Sequence, residues 1–201
     1  MERQQFKETV ILVDADYLDG LASDLRSNFT KVLGRDVPVA DLAEWLVCAA
    51  LDGGAPEDEK GECQSEVQVV FIRSLSKTRL DHFEPGNMLS GLDGQAFRDP
   101  YLGEFLLSVV PEEKPAGQTE PLFAESTRYL LTCKEIKRLV LVPDMQKYGD
   151  YLREDIGKAE GEDVPRVVIL AMQPEEGGGY QTEILGYSLL HALGIAPEEL
   201  Q

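Results

Sequence analysis

The sequence predicts an α/β fold, a three-layer α/β/α arrangement around a mostly parallel central sheet. Two observations carry the prediction. Short runs dense in β-branched residues recur at 9–14, 67–72, 138–142 and 166–172, the composition of strands buried on both faces. Between them lie stretches with apolar residues at helical spacing, and strands that alternate with helices assemble into parallel sheets through such crossovers.

The organising stretch is Thr9-Val-Ile-Leu-Val-Asp-Ala-Asp-Tyr17. Its apolar strand delivers Asp14 and Asp16 to a carboxyl end, where open α/β sheets place their sites. A helix is expected over 19–33, with Leu21, Leu25, Phe29 and Val32 on one face and Gly34 closing it. A second helix, 41–52, carries Leu42, Trp45, Leu46, Ala49 and Ala50, with Trp45 as a core anchor. The acidic, turn-rich 52–62 reads as a solvated loop.

After the strand at 67–72 comes Arg73-Ser-Leu-Ser-Lys-Thr-Arg79. In a parallel sheet this cluster emerges on the same edge as Asp14. Arg73, Lys77 and Arg79 are therefore candidate substrate-binding cations, with an ordinary charged loop as the alternative. Residues 80–117 are rich in Gly and Pro without clear periodicity, and are expected to form an insertion or lid within a single domain spanning 1–201, or an oligomer contact. Helical spacing returns over 120–136, followed by the strand at 138–142, a helix over 146–159, the strand at 166–172, a glycine loop at 177–179 and a last helix over 184–193. A fifth strand is expected in the irregular segment or near 180–184.

Length and composition set outer limits. A chain of 201 residues suits one domain, and 43% apolar residues rule out a wholly disordered one. No apolar run approaches the roughly 20 residues that span a bilayer. The first residues lack the apolar core of a secretory signal, so a cytoplasmic protein is expected. The net charge of -18 counts against a general nucleic-acid binder while leaving room for a local basic strip. It also suits a site that holds a divalent cation. Three cysteines without paired spacing, Cys48, Cys63 and Cys133, predict neither a disulfide framework nor zinc. Cys48 and Cys133 read as core residues.

Asp14, Asp16 and Asp144 converge on one edge if the first strand neighbours the strand ending Val-Pro-Asp144. Like charges that close raise one another's pKa unless a cation lies between them. Mg²⁺ or Mn²⁺ is the expected occupant, able to activate water and polarise a phosphate. The competing expectation is that Asp14 and Asp144 cap the helices that follow them.

The order of these elements resembles the NYN domains of the PIN-like ribonuclease superfamily, over most of the chain, from about Val10 to Met172. The family's opening Asp-Gly-x-Asn corresponds to Asp14-Ala-Asp16-Tyr17, and its later Ser-Gly-Asp-x-Asp-Phe to Val-Pro-Asp144-Met-Gln146-Lys147. Its intervening Lys-Gly-x-Asp corresponds to Gly117-Gln-Thr-Glu120, with Lys114 upstream. The resemblance implies a Rossmannoid fold and metal-dependent phosphodiester cleavage, with Asp14 and Asp144 as metal ligands, Asp16 and Glu120 as further catalytic carboxylates, and RNA as a partner through the basic strip. Tyr17, Gln146, Pro143 and Glu120 depart from the family's pattern, and the neutral Gln146 implies weakened metal affinity and a degenerate site.

Asp14-Ala-Asp16 also resembles the opening of haloacid dehalogenase-like phosphatases. That resemblance implies a nucleophile at Asp14, an acid/base at Asp16, a lysine at Lys134 or Lys137, and a later acidic pair at Asp144 and Asp150. The third expectation is a non-catalytic module that binds a protein or nucleotide through residues 80–117, or pairs with a second copy.

Overall fold

The computed structural model describes residues 6–113, 120–161 and 163–200. The chain opens with β1 (Thr9–Asp14), passes directly into α1 (Ala15–Leu33), and continues through the two-residue β2 (Ala40–Asp41), α2 (Leu42–Asp52) and β3 (Glu66–Ser74). Then come β4 (Phe83–Glu84), a single helical turn at Met88–Leu92, β5 (Ala96–Asp99) and β6 (Gly103–Glu112). The second half runs α3 (Leu122–Leu130), β7 (Arg138–Val142), α4 (Met145–Lys158), β8 (Arg166–Ala171), β9 (Tyr180–Ile184) and α5 (Leu185–Ala192).

Seven strands form the main sheet in the order β5-β6-β3-β1-β7-β8-β9. Every neighbouring pair is parallel except β5 with β6. The chain builds outward from β1 through β3 to β6, then returns to lay β7 on the other flank of β1 and builds outward again. The crevice between the carboxyl ends of β1 and β7 is therefore the topological switch point of a doubly wound sheet. This is a three-layer Rossmannoid α/β/α fold.

The layers follow from strand alternation. In β1, Ile11 and Val13 join the core under α1, α2 and α5, while Val10 and Leu12 join the core under α3 and α4. All four are at most 1% exposed, and burying each contributes about 1.5–3 kcal/mol. Trp45 lies at the centre of the first core, edge-on to Phe83 with ring centroids 6.0 Å apart. On the opposite face Phe123 stacks on Tyr148 at 4.9 Å.

Several expected elements move. Helix α1 begins at Ala15 instead of Asp19, because Asp14 is its N-cap. Its buried stripe ends on Leu33, which packs on the core, and Val32 is exposed. Helix α3 stops at Leu130, and the chain reaches the buried Ile136 through turns. Buried Cys63, not half-buried Cys48 or Cys133, is the core cysteine.

The largest correction concerns 80–117. Its described part is not a lid. It supplies β5 and the ten-residue β6, and it contributes Leu80, Phe83, Met88, Leu92 and Phe105 to the core. β6 alternates buried and half-buried residues over Gly103–Ser108, but the glycines and prolines around it mask that period. The expected Gly117 motif and Lys114 lie outside the described residues. The strand expected near 180–184 is β9, joined to β8 by residues 172–179 without a helix. That loop straps across α4, where Arg153 holds Glu175 at 3.0 Å. Among the described residues, no helix is long and apolar enough to cross a membrane.

Candidate functional site

β1 ends on Asp14, and Asp144 lies two residues past the end of β7. Because β1 and β7 pair in parallel, with Val13 opposite Val142, both carboxylates reach the switch-point rim. Two neighbours register both of them. Lys147 lies 3.3 Å from Asp144 Oδ2, and its charge also opposes the upward pKa shift that burial gives Asp14. Burial first, then the charges of Asp144, Asp14 and Glu175, push the Tyr17 phenol upward.

The two carboxylates share one backbone role. Asp14 Oδ1 accepts the Tyr17 amide at 2.9 Å, and Asp144 Oδ1 accepts the Gln146 amide at 3.0 Å. Each caps the helix that its strand runs into, satisfying an amide that would otherwise lack an intrahelical partner. Asp41 does the same for α2 by accepting the Glu44 amide at 2.9 Å.

Asp14 is only 4% exposed. Its second oxygen accepts the Tyr148 hydroxyl at 2.9 Å. Burial raises its pKa above the ordinary carboxylate value, outweighing those two hydrogen bonds. The Tyr148 phenol is pushed upward as well, by burial and by the adjacent Asp14 charge, and remains a donor.

Asp16 lies at the same edge but turns toward β3. Its Oδ2 accepts the Ser74 amide at 2.8 Å and its Oδ1 the Ser74 hydroxyl at 2.7 Å. One turn further along α1, Asp19 is 2% exposed and accepts the His82 amide at 2.8 Å and the Lys77 ammonium. These two acids fasten the loop after β3 to the first turns of α1.

That clasp consumes the basic strip. Lys77 pairs with Asp19 and lies 3.7 Å from Asp81. Arg73 is 9% exposed and donates to the carbonyls of Ser74, Leu75 and Lys77, holding the loop in shape. Arg79 is exposed and lies 3.8 Å from Asp81. None of the three is directed as a free cation into the crevice.

Glu120 is not brought to Asp14 and Asp144. Arg128 grips both its oxygens at 2.6 Å on the α3 side of the molecule. Lys134 and Lys137 precede β7, at the opposite edge of the sheet, where they pair with Asp163 and Glu8. Asp150 is solvent-exposed and 3.3 Å from Arg153.

A cavity of about 310 Å³ opens beside Asp144, lined by Tyr17, Gln146, Met172, Gln173 and Glu175. Asp14 does not line it. Among the described residues, no group of three or more His, Cys, Asp and Glu side chains is arranged to hold a metal ion. The donor chemistry agrees: Asp14 is buried and does not line the cavity, and each oxygen of Asp14 and of Asp16 spends a lone pair on a protein donor. The residues present do not fit the expected Mg²⁺ or Mn²⁺ site.

Sequence reasoning placed Asp14, Asp16 and Asp144 at this edge but missed Tyr148, which bonds Asp14, Ser74, which bonds Asp16, and Asp19, which anchors Lys77 and His82. In a helix that begins at Ala15, the spacing of Asp16 and Asp19 by three puts both on one face. No local signal links Tyr148 to Asp14 across 134 residues.

No curated protein and no solved structure matches the chain. A family of unknown function, DUF6621, matches residues 3–200, and the chain belongs to that family.

Proposed function

We propose that this chain is a catalytically degenerate PIN/NYN-like domain that works as a protein-binding scaffold. The observation that carries the reading is the state of Asp14. The residue in the position of first metal ligand, or of phosphatase nucleophile, is buried, capped by Tyr17 and bonded by Tyr148. A carboxylate that coordinates a cation or attacks phosphorus must reach the crevice, and Asp14 is 4% exposed and does not line the cavity beside Asp144. The central order β3-β1-β7 is compatible with both the PIN-like and the dehalogenase-like resemblance, which share that central adjacency.

Two further features favour binding over chemistry. Lys77 and Arg73, which would have gripped a polynucleotide, hold the protein together instead. The net charge of -18 repels nucleic acid at long range and favours basic partners.

Labelled single-stranded RNA and a small phosphomonoester, each incubated with the protein and Mn²⁺ beside an Asp14→Asn control, test the reading. The expected result is no turnover that depends on Asp14. Cleavage of RNA abolished in Asp14→Asn would restore the ribonuclease reading. Phosphomonoester hydrolysis abolished in the same variant would restore the phosphatase.

A further inference from the structure

The part of the chain between β3 and α3 builds a surface that the switch-point crevice does not use. β5 pairs only with β6, in antiparallel register. Its ladder side is fixed by the Leu107 amide, which donates to the Gln95 carbonyl at 2.8 Å. Alternation then points the backbone groups of Gln95, Phe97 and Asp99 at β6, and those of Ala96 and Arg98 outward. Among the described residues, no backbone hydrogen bond beyond the ladder reaches Ala96 or Arg98, and both are exposed.

Beside this open edge lies an apolar groove of about 250 Å³. It is lined by Leu42 and Leu46 of α2, by Pro85 and Leu92, and by Phe97 and Leu107 of the sheet. Phe97 is itself held rigid by stacking on Phe105 at 4.6 Å. The groove has no charged side chain in its lining. Three exposed carboxylates lie next to lining residues in the chain: Asp41 before Leu42, Glu84 before Pro85, and Asp93 after Leu92. None of the three makes an ion pair among the described residues.

An open strand edge offers main-chain pairing, and a pocket beside it takes an alternate side chain. Carboxylates around an uncharged groove favour cations flanking that side chain. We propose that the β5 edge and this groove dock an extended segment of a partner protein, with an aliphatic residue in the groove and lysine or arginine on either side. The inference rests on the scaffold reading and names its partner class. Enzyme assays test that reading and peptide titration tests this one, so the two fail separately.

The probe is a fluorescein-labelled Lys-Lys-Val-Leu-Val-Lys-Lys peptide, titrated by anisotropy against the whole chain. Its counterpart carries Glu in place of Lys. Saturable binding of the basic peptide alone is expected. Ala96→Pro removes an outward N–H without touching the β5–β6 ladder, and is expected to weaken binding about tenfold, a change of about 1.4 kcal/mol. Glu84→Lys, on the rim, is expected to weaken it several-fold while leaving the fold intact by circular dichroism. No saturable binding, equal binding of the acidic peptide, or binding unchanged in a folded Ala96→Pro protein would overturn the proposal. A dimer seen by sedimentation of the protein alone and dissolved by Ala96→Pro would also overturn it, assigning the edge to a second copy.

Discussion

Tyr148, one turn into α4, donates its hydroxyl to Asp14 at the end of β1 across a distance of 2.9 Å. The bond locks the second half of the fold to the first at the switch point. It also decides what Asp14 is. A carboxylate that caps one helix and accepts from another element is a structural joint. An amide in its place keeps the geometry, because Asn can accept from the Tyr17 amide and donate to the Tyr148 oxygen.

Asp14→Asn is therefore expected to be as stable as the parent protein or more stable at neutral pH. The sign follows from the raised pKa of Asp14. The folded state holds the proton more tightly than the unfolded chain, whose carboxyl ionises near 3.8. Stability then falls as pH rises above that value, until the folded carboxyl has also ionised. Asn does not titrate, so its advantage should vanish below about pH 4 and grow above it. Urea unfolding from pH 3.5 to 8 reads this directly. A variant that loses stability equally at every pH would show that the charge itself is needed.

Removing the donor instead of the acceptor has the opposite result. Tyr148→Phe keeps the ring that stacks on Phe123 but leaves a buried carboxylate oxygen without its partner. The expected cost is about 1–3 kcal/mol, read as a lower urea midpoint with an unchanged slope. No cost would mean that water reaches Asp14 as readily as Tyr148 does.

Divalent metal should leave the fold indifferent. A ligand that binds the native state alone raises stability with its concentration, by about 2.7 kcal/mol at a hundredfold excess over its dissociation constant. With Asp14 buried and each oxygen of Asp14 and Asp16 held by a protein donor, Mg²⁺ or Mn²⁺ at millimolar concentration would have to displace those donors to bridge the two. The melting temperature is expected to be the same in metal and in chelator. A rise that is lost in Asp144→Asn would establish a metal site at this rim.

The sheet was readable because its strands are buried on both faces. Runs such as Val10-Ile-Leu-Val13 and Leu139-Val-Leu-Val142 have no polar alternation to confuse with a helix. β6 was hidden for the converse reason: it lies near the edge, ends Val-Val-Pro-Glu112, and follows turns that need glycine. At the site, the positions of Asp14, Asp16 and Asp144 followed from strand ends. Their roles did not, because a capping carboxylate and a metal-ligating one occupy the same place in sequence. The difference lies in Tyr148 and Ser74, which only tertiary structure brings near.

The Asp19–Lys77 pair offers a sharper test of the clasp. Asp19 is 2% exposed and holds both the Lys77 ammonium and the His82 amide. Asp19→Ala strands the His82 amide and leaves the partly exposed Lys77 to Asp81 and solvent, at a cost of about 1–3 kcal/mol. Lys77→Met keeps the stem but leaves the buried Asp19 carboxylate without its cation, so its cost should be the larger, about 3–5 kcal/mol. Limited proteolysis should cut Asp19→Ala first within 74–82, the loop that loses its anchor. Equal loss in the two variants, or cutting elsewhere first, would count against the clasp.

Gly103 tests whether β6 is an integral strand, as its place beside β3 requires. It sits at the start of β6 with φ +95, and a Cβ there would lie 2.0 Å from the Ser65 carbonyl oxygen. The neighbouring Glu104 amide donates to that same carbonyl at 2.9 Å, so the oxygen cannot withdraw without breaking the entry to the β3–β6 pairing. A side chain at this position meets both a backbone clash and a conformation that L-residues avoid. Gly103→Ala is expected to cost several kcal/mol, more than about 3, and to loosen β5 and β6 together. Hydrogen exchange should show amides of 96–112 losing protection ahead of those of β1 and β7. Were the segment only a lid over the sheet, the same substitution would leave the global unfolding midpoint where it was.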